Sequence, residues 1–303
     1  MENNRIALFT TIYPEGMSYF SAWHDSVVQQ TNNDFDVWVG CDRISKNDVA
    51  NRIGDDLSTT WVESKQGESS ISLRERAIKK IIGTYPAVIF VDSDDILEKT
   101  RVTAAVTSLK NSDVYGCAMK FIDRNGTQIK PRSQFQPYKK WAVSTDLPKT
   151  NIFGLSNTAY RTDLLDKCLP FRSDCILLDW FIATKAWFHD ARFVFDPIPQ
   201  MLYRQHPNNI ARCIPPFSSS QILTATDRVL HHYECVLQSN LPKDMAKRDK
   251  IERANSYVTA FHKSIITSSD ILATYVEQLN ALHVRHIWWS CVAHPDLEDI
   301  WRT

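Results

Sequence analysis

The chain has 303 residues, 43% hydrophobic and 23% charged, a composition that supports a sizeable buried core and excludes a chain dominated by disorder. Its 35 basic and 35 acidic side chains cancel, so there is no basic footprint for nucleic acid or for an acidic membrane surface. Seven scattered cysteines without a C-x-x-C pair, no apolar signal segment in "MENNRIALFTT" and no apolar run of membrane-spanning length predict a cytoplasmic protein with reduced thiols.

Arg5 to Phe9 is a short apolar run that opens at Thr10, Thr11 and Pro14 into a loop, the pattern of a buried strand. Phe20, Trp23, Val27 and Val28 recur at helical spacing, and "FDVWVG" reads as a second strand closing on Cys41 and Asp42. Strand, helix and strand within about forty residues predict a right-handed βαβ crossover. In "SSISLRERAIKKIIG", Ser72 and Glu75 stand at capping-box spacing. Leu73, Ala77, Ile78, Ile81 and Ile82 supply an apolar face, and Gly83 with Pro86 ends the helix.

"VIFVDSDDILE" follows, a buried third strand running straight into Asp92, Asp94 and Asp95. Carboxylates this close raise one another's pKa unless a cation or hydrogen-bond donors satisfy them. In open α/β sheets, ligands bind at the carboxyl ends of strands. Taken alone, these residues fit two readings: carboxylates holding a divalent ion through hard oxygen ligands, or a solvated acidic turn in which Asp95 caps a helix.

Beyond the acids come a helix around Arg101 to Leu109 and a hairpin turn at Asn125-Gly126. Asp179 starts an apolar helix, and "ARFVFD" and "MLYRQH" read as two strands. The pattern then turns helical, with a charged face at "KDMAKRDKIERA", which predicts an α/β domain over 1–215 and a helical extension over 216–303. Near the end, Trp288, Trp289 and Trp301 lie close in sequence to His283, Arg285 and His286. That mixture suits either a peripheral membrane contact or helices packed internally or against a second copy as a homodimer.

In order and spacing these segments resemble the family 2 glycosyltransferases of the GT-A fold, over roughly residues 1–212. The matching pieces are "FTTIYP", the Ser26-x-x-x-Gln30 helix end with Thr31, the Phe35-Asp36 strand ending at Asp42, Gly67 with Arg74, and "FVDSDD" as the metal-binding D-x-D. Glu75 stands where the family has Asn. The resemblance implies an α/β fold with a Rossmann-like mixed sheet flanked by helices, of the nucleotide-diphospho-sugar transferase type, followed by the helical appendage.

The same resemblance implies residue roles. Thr10 and Asp42 line the nucleotide base pocket, and Arg74 approaches the base or diphosphate from the first turn of its helix. Asp92 meets the ribose or a metal-bound water, Asp94 ligates Mn2+ or Mg2+, and Asp95 assists. Asp179 of "LLDWF" is the general base, with Leu178 where the family carries a first acid, and Trp180 lies under an acceptor ring. In "YRQHPNNIAR", His206 is a metal or diphosphate ligand and Arg204 or Arg212 holds phosphate; Gly154 belongs to the acceptor-side loop.

The implied activity is metal-dependent, inverting transfer from a nucleotide-sugar donor, UDP-sugar by default, to a saccharide or lipid-linked saccharide, as in bacterial surface polysaccharide synthesis at the inner face of the membrane. Two alternatives are a non-catalytic sugar-nucleotide-binding relative, which Leu178 favours, and a phosphohydrolase of the haloacid dehalogenase type. Against the latter, more than eighty residues of βαβ pattern precede the D-x-D.

Overall fold

A computed structural model describes residues 5–53, 58–129, 134–135, 141–206, 209–282 and 287–302. The chain divides into two compact units that interleave in sequence. The first comprises Met1–Gln134, Phe153–Ser173 and His189–Gln205; the second comprises Phe135–Ile152, Asp174–Phe188 and His206–Thr303. The strands are β1 (Ile6–Ile12), β2 (Phe35–Cys41), β3 (Thr59–Glu63), β4 (Ala87–Phe90), β5 (Ile96–Leu97), β6 (Val114–Ile122), β7 (Gln134–Phe135), β8 (Thr158–Arg161) and β9 (Phe193–Arg204). The helices are α1 (Met17–Val28), α2 (Lys46–Ile53), α3 (Ser70–Ile82), α4 (Arg101–Leu109), α5 (Val143–Asp146), α6 (Thr162–Lys167), α7 (Leu178–Phe188), α8 (Ser219–Leu237), α9 (Met245–Thr267), α10 (Ser269–Ala281) and α11 (Glu298–Trp301).

The first unit is built on a mixed sheet in the order β3-β2-β1-β4-β8-β6-β9-β5. β1 pairs in parallel with β2 and with β4, whereas β8 runs antiparallel between β4 and β6. Every residue of β1 and β4 is buried, as expected for strands covered on both faces. The expected βαβ opening is present, and the structure adds α2 and β3 before α3. The N-cap of α3 is Ser69, whose hydroxyl accepts from the Ser72 N–H, so the helix begins earlier than the Ser72-Glu75 pair suggests. Its predicted face is otherwise in place, with Leu73, Ala77, Ile78 and Ile81 buried.

"ARFVFD" and "MLYRQH" form one strand rather than two. β9 pairs with β6 through a register shift between Cys117 and Met119, opposite the stretch carrying Pro197 and Pro199, which have no N–H for the ladder. The Asn125-Gly126 turn is confirmed: Gly126 has φ +87°, and the Asp123 carboxylate accepts from the Asn125 and Thr127 N–H groups. In β6, Gly116 lies so close under Phe153 that a Cβ there would stand 2.7 Å from the ring.

The second unit is helical. α8 opens with a capping box between Ser218 and Gln221, α9 is capped by Asp244 and α10 by Ser268. Its core is aromatic. Trp180 of α7 stacks on His232 of α8 with ring centroids 4.2 Å apart, and Trp301 meets Tyr257 and Phe261 edge-on. Trp288, Trp289 and Trp301 are 4%, 5% and 2% exposed, so they build this core instead of a membrane-facing surface. His283, Arg285 and His286 lie outside the described residues. All seven cysteines are buried thiols. Among the described residues no helix is long and apolar enough to cross a membrane.

Candidate functional site

Strand order locates the first part of the site. From β1 the chain builds β2 and β3 on one side, while β4 lies on the other, so β1 and β4 flank a topological switch point. At such a point the carboxyl ends of the strands splay around a crevice that takes ligands. β1 brings Thr10 and Thr11 to this end, β2 brings Asp42, and β4 brings the acids. Two backbone bonds tie the three together: Val91 N–H to the Phe9 carbonyl at 3.1 Å and Asp42 N–H to the Ile12 carbonyl at 2.8 Å.

The three acids divide into two kinds. Asp95 is 1% exposed and faces inward. One of its oxygens accepts from the Ser156 hydroxyl, and the other accepts from the Arg204 N–H at 2.7 Å. Burial, reinforced by the charges of Asp94 and Asp92, pushes its carboxyl well above the usual range. Asp95 is therefore held from within the protein, by Ser156 and Arg204. Asp92 is half-buried and its N–H donates to Ser156 Oγ at 3.2 Å. Burial, reinforced by the charges of Asp94 and Asp92, also raises the phenol of Tyr13.

Arg204 has a different place from the phosphate-holding one expected of it. It is 3% exposed, and its guanidinium donates to the carbonyls of Asp94 at 2.7 Å and of Asp123 and Arg124 at 3.1 Å each. The same group lies 4.7 Å over the Tyr19 ring. It fixes the acid loop from beneath. Arg74 is half-buried in the second turn of α3, one turn later than expected, and its Nε donates to Thr11 Oγ1 at 3.2 Å. Glu68 pairs with Arg76 and Glu75 with Lys79. Thr10 Oγ1 is buried with no hydrogen-bond partner among the described residues, and Asp42 is 8% exposed with Arg43 Nε 3.6 Å away. Gly154 is buried, its carbonyl accepting from Thr158 Oγ1 at 2.7 Å.

The donor set suits a hard cation. Asp92 and Asp94 offer carboxylate oxygens, the ligands Mg2+ and Mn2+ prefer. Among the described residues the three acids do not gather three ligand atoms within 4.8 Å of one another, so a bound ion would draw further ligands from water or phosphate.

Asp179, Trp180 and His206 belong to the second unit. Asp179 stands in the first turn of α7, half-buried, and its Oδ2 accepts from Asn151 Nδ2 at 3.1 Å. Trp180 is 0% exposed and its indole N–H donates to the Leu147 carbonyl at 2.8 Å, so it is a core residue and not a platform for a sugar ring. His206 is half-buried, with its backbone N–H on Asn209 Oδ1. Arg212 is exposed and donates to the Ile214 carbonyl at 2.9 Å.

Sequence reasoning missed Tyr13, Ser156 and Asn151. Tyr13 could have been found from its place two residues past the Thr10-Thr11 pair. Ser156 and Asn151 carry no local signal, because their partners are 61 and 28 residues away in the chain.

No known family model matches the sequence, and no curated protein matches it. Solved structures do match. S. aureus TarS 1-349 is similar with a TM-score of 0.60 at 16% identity, over 98% of this chain and 83% of that one. The same protein in complex with UDP-GlcNAc gives 0.59 at 17%, over 98% and 81%. The mannosyltransferase PcManGT from Pyrobaculum calidifontis, in complex with GDP-Man and Mn2+, gives 0.56 at 13%, over 99% and 88%. This likeness establishes the GT-A fold.

Proposed function

We propose that this chain is a metal-dependent glycosyltransferase that moves a sugar, with inversion, from a nucleotide-diphosphate donor to a hydroxyl acceptor. The observation that carries this reading is the placement of Asp92 and Asp94 at the carboxyl end of β4, beside the switch point of a GT-A sheet. Structures sharing that fold were solved with UDP-GlcNAc and with GDP-Man and Mn2+, which supports a nucleotide sugar as the ligand class.

Asp42 accepts from the nucleotide base, the Thr10 hydroxyl contributes to the base pocket, and Arg74 approaches the base or diphosphate. Asp92 and Asp94 would hold Mn2+ or Mg2+, which would supply Lewis-acid neutralisation of the charge on the departing diphosphate. Asp95, clasped by Ser156 and Arg204, fixes the backbone that presents those two carboxylates. Asp179 accepts the proton of the attacking hydroxyl, and Asn151 holds its carboxylate in orientation. Gly154 belongs to the acceptor side. The donor is a UDP-sugar, the acceptor a saccharide or lipid-linked saccharide, and the setting bacterial surface polysaccharide synthesis on the cytoplasmic side.

The test is thermal unfolding with UDP, GDP, CDP or dTDP, with and without Mn2+, repeated in Asp94→Asn. One nucleotide should stabilise the chain only with metal, by about 2.7 kcal/mol at a hundredfold excess over its Kd, and the variant should lose that shift. No shift with any nucleotide overturns the reading. Asp179→Asn should keep the shift while transfer falls about 10²- to 10⁴-fold. An unchanged rate would remove Asp179 from the chemistry.

A further inference from the structure

A second cluster of ligand-type side chains lies inside the second unit. His231 and Cys235 stand four residues apart on α8, the spacing that puts two side chains on one helix face. Asp174, ahead of α7, reaches the same spot. His231 Nε2 is 3.5 Å from Cys235 Sγ, 3.8 Å from an Asp174 carboxylate oxygen and 2.8 Å from the Asp174 carbonyl oxygen. One ligand atom from each of Asp174, His231 and Cys235 lies within 4.8 Å of the others.

The 3.5 Å separation of Nε2 and Sγ matches one edge of a coordination polyhedron. With Zn–N near 2.0–2.1 Å and Zn–S near 2.3 Å in tetrahedral geometry, nitrogen and sulfur ligands of one ion sit about 3.5 Å apart. The other side of the imidazole carries the expected orienting group, since Nδ1 faces the Glu234 carboxylate at 3.4 Å. Metal-bound histidines characteristically donate their second N–H to such a carboxylate, which leaves the other nitrogen's lone pair for the ion. Exposure is graded from Cys235, buried, through His231, intermediate, to Asp174, exposed, giving an ion a path from solvent. The Cys175 thiol, within hydrogen-bonding reach of Cys235, is a second sulfur beside the cluster.

We propose that Asp174, His231 and Cys235 form a zinc site that ties the segment entering α7 to helix α8. Thiolate with imidazole selects Zn2+ over Mg2+ or Mn2+, so the site is chemically distinct from the all-oxygen pair Asp92 and Asp94. Binding converts the Cys235 thiol to thiolate and releases its proton to solvent. It also replaces the Nε2–H bond to the Asp174 carbonyl with a bond to the metal, the imidazole proton passing to Nδ1, which faces Glu234. Affinity therefore rises with pH.

The experiment uses the full chain, stripped with a chelator and titrated with Zn2+ against a chromogenic competitor, and separately with Co2+ followed by absorbance. The expected result is one tight Zn2+ equivalent that persists in Asp94→Asn, together with a near-ultraviolet thiolate-to-Co2+ band in the unaltered chain. Cys235→Ser and His231→Gln should lose that equivalent, and Glu234→Gln should weaken it about 10- to 100-fold. Absence of the Co2+ band overturns the proposal without reference to any variant's folding. So does an undiminished Zn2+ equivalent in Cys235→Ser.

Discussion

His232 sits in an environment unlike the one its type suggests. It is 1% exposed, neither ring nitrogen has a hydrogen-bond partner among the described residues, and it stacks on Trp180 at 15°. Burial, with a smaller contribution from His231, lowers its pKa to about 3. Unfolded, a histidine titrates near about 6.5, so between those values the unfolded chain binds a proton that the folded chain refuses. Stability therefore falls as pH drops from about 6.5 toward 3. His232→Phe, which keeps an aromatic ring and removes the proton site, should flatten the Tm-against-pH slope over that range; the same slope in both chains would refute the assignment. Glu68 acts in the same direction at lower pH. Its hydrogen bonds to Arg76 lower its carboxyl to about 2, so its contribution is complete above the unfolded value of about 4.3 and is lost as pH falls toward 2. Glu68→Gln should remove that part of the acid transition, read by circular dichroism. Neither effect is legible in sequence, because burial and pairing set both values.

At the scale of elements, the Ser26-x-x-x-Gln30 motif has a mechanical meaning. Ser26 Oγ accepts from the Leu97 N–H at 3.1 Å, Gln30 Nε2 donates to the Glu98 carbonyl at 2.9 Å, and Gln30 Oε1 accepts from the Val102 N–H at 3.1 Å. The C-terminal end of α1 thus ties down β5 and the start of α4, the chain just past the acids. α2 and β3 escaped the sequence reading for a physical reason: each buries a single residue, Val49 and Val62, so neither carries an apolar period. Close packing is most exacting at β6. Gly116→Ala would place its Cβ 2.7 Å from the Phe153 ring, and should cost about 1–3 kcal/mol in urea unfolding. A loss below a few tenths of a kcal/mol would mean that Phe153 moves aside freely.

At the scale of the whole molecule, the second unit draws on three separate stretches of chain. Within it, α7 buries Trp180 and Phe181 and meets α8 through the Trp180–His232 stack, while Lys247 of α9 donates to the Trp187 carbonyl at 2.9 Å. A chain ended at residue 215 keeps α7 but loses α8 and α9. It should bind a hydrophobic dye strongly and lose near-ultraviolet circular dichroism, whereas a truncated chain with full native signals would show that α7 needs no cover from those helices. An exposed apolar helix face of this size is an aggregation liability.

Several features follow from the sequence alone. These are the parallel opening of the sheet, the acids at the end of β4, the polar neutrality of the chain and the helical character of its last ninety or so residues. They are legible because apolar periodicity and strand-end chemistry are local properties. Only the tertiary structure decided that Asp95 and Arg204 hold the loop, that Trp180 and the late tryptophans are core, and that Asp174, His231 and Cys235 meet. Each depends on contacts between residues far apart in the chain, up to 110 positions for the Arg204 bond to Asp94. Burial and hydrogen-bond partnership decide whether a charged or aromatic side chain serves the fold or a ligand, and no local pattern encodes them.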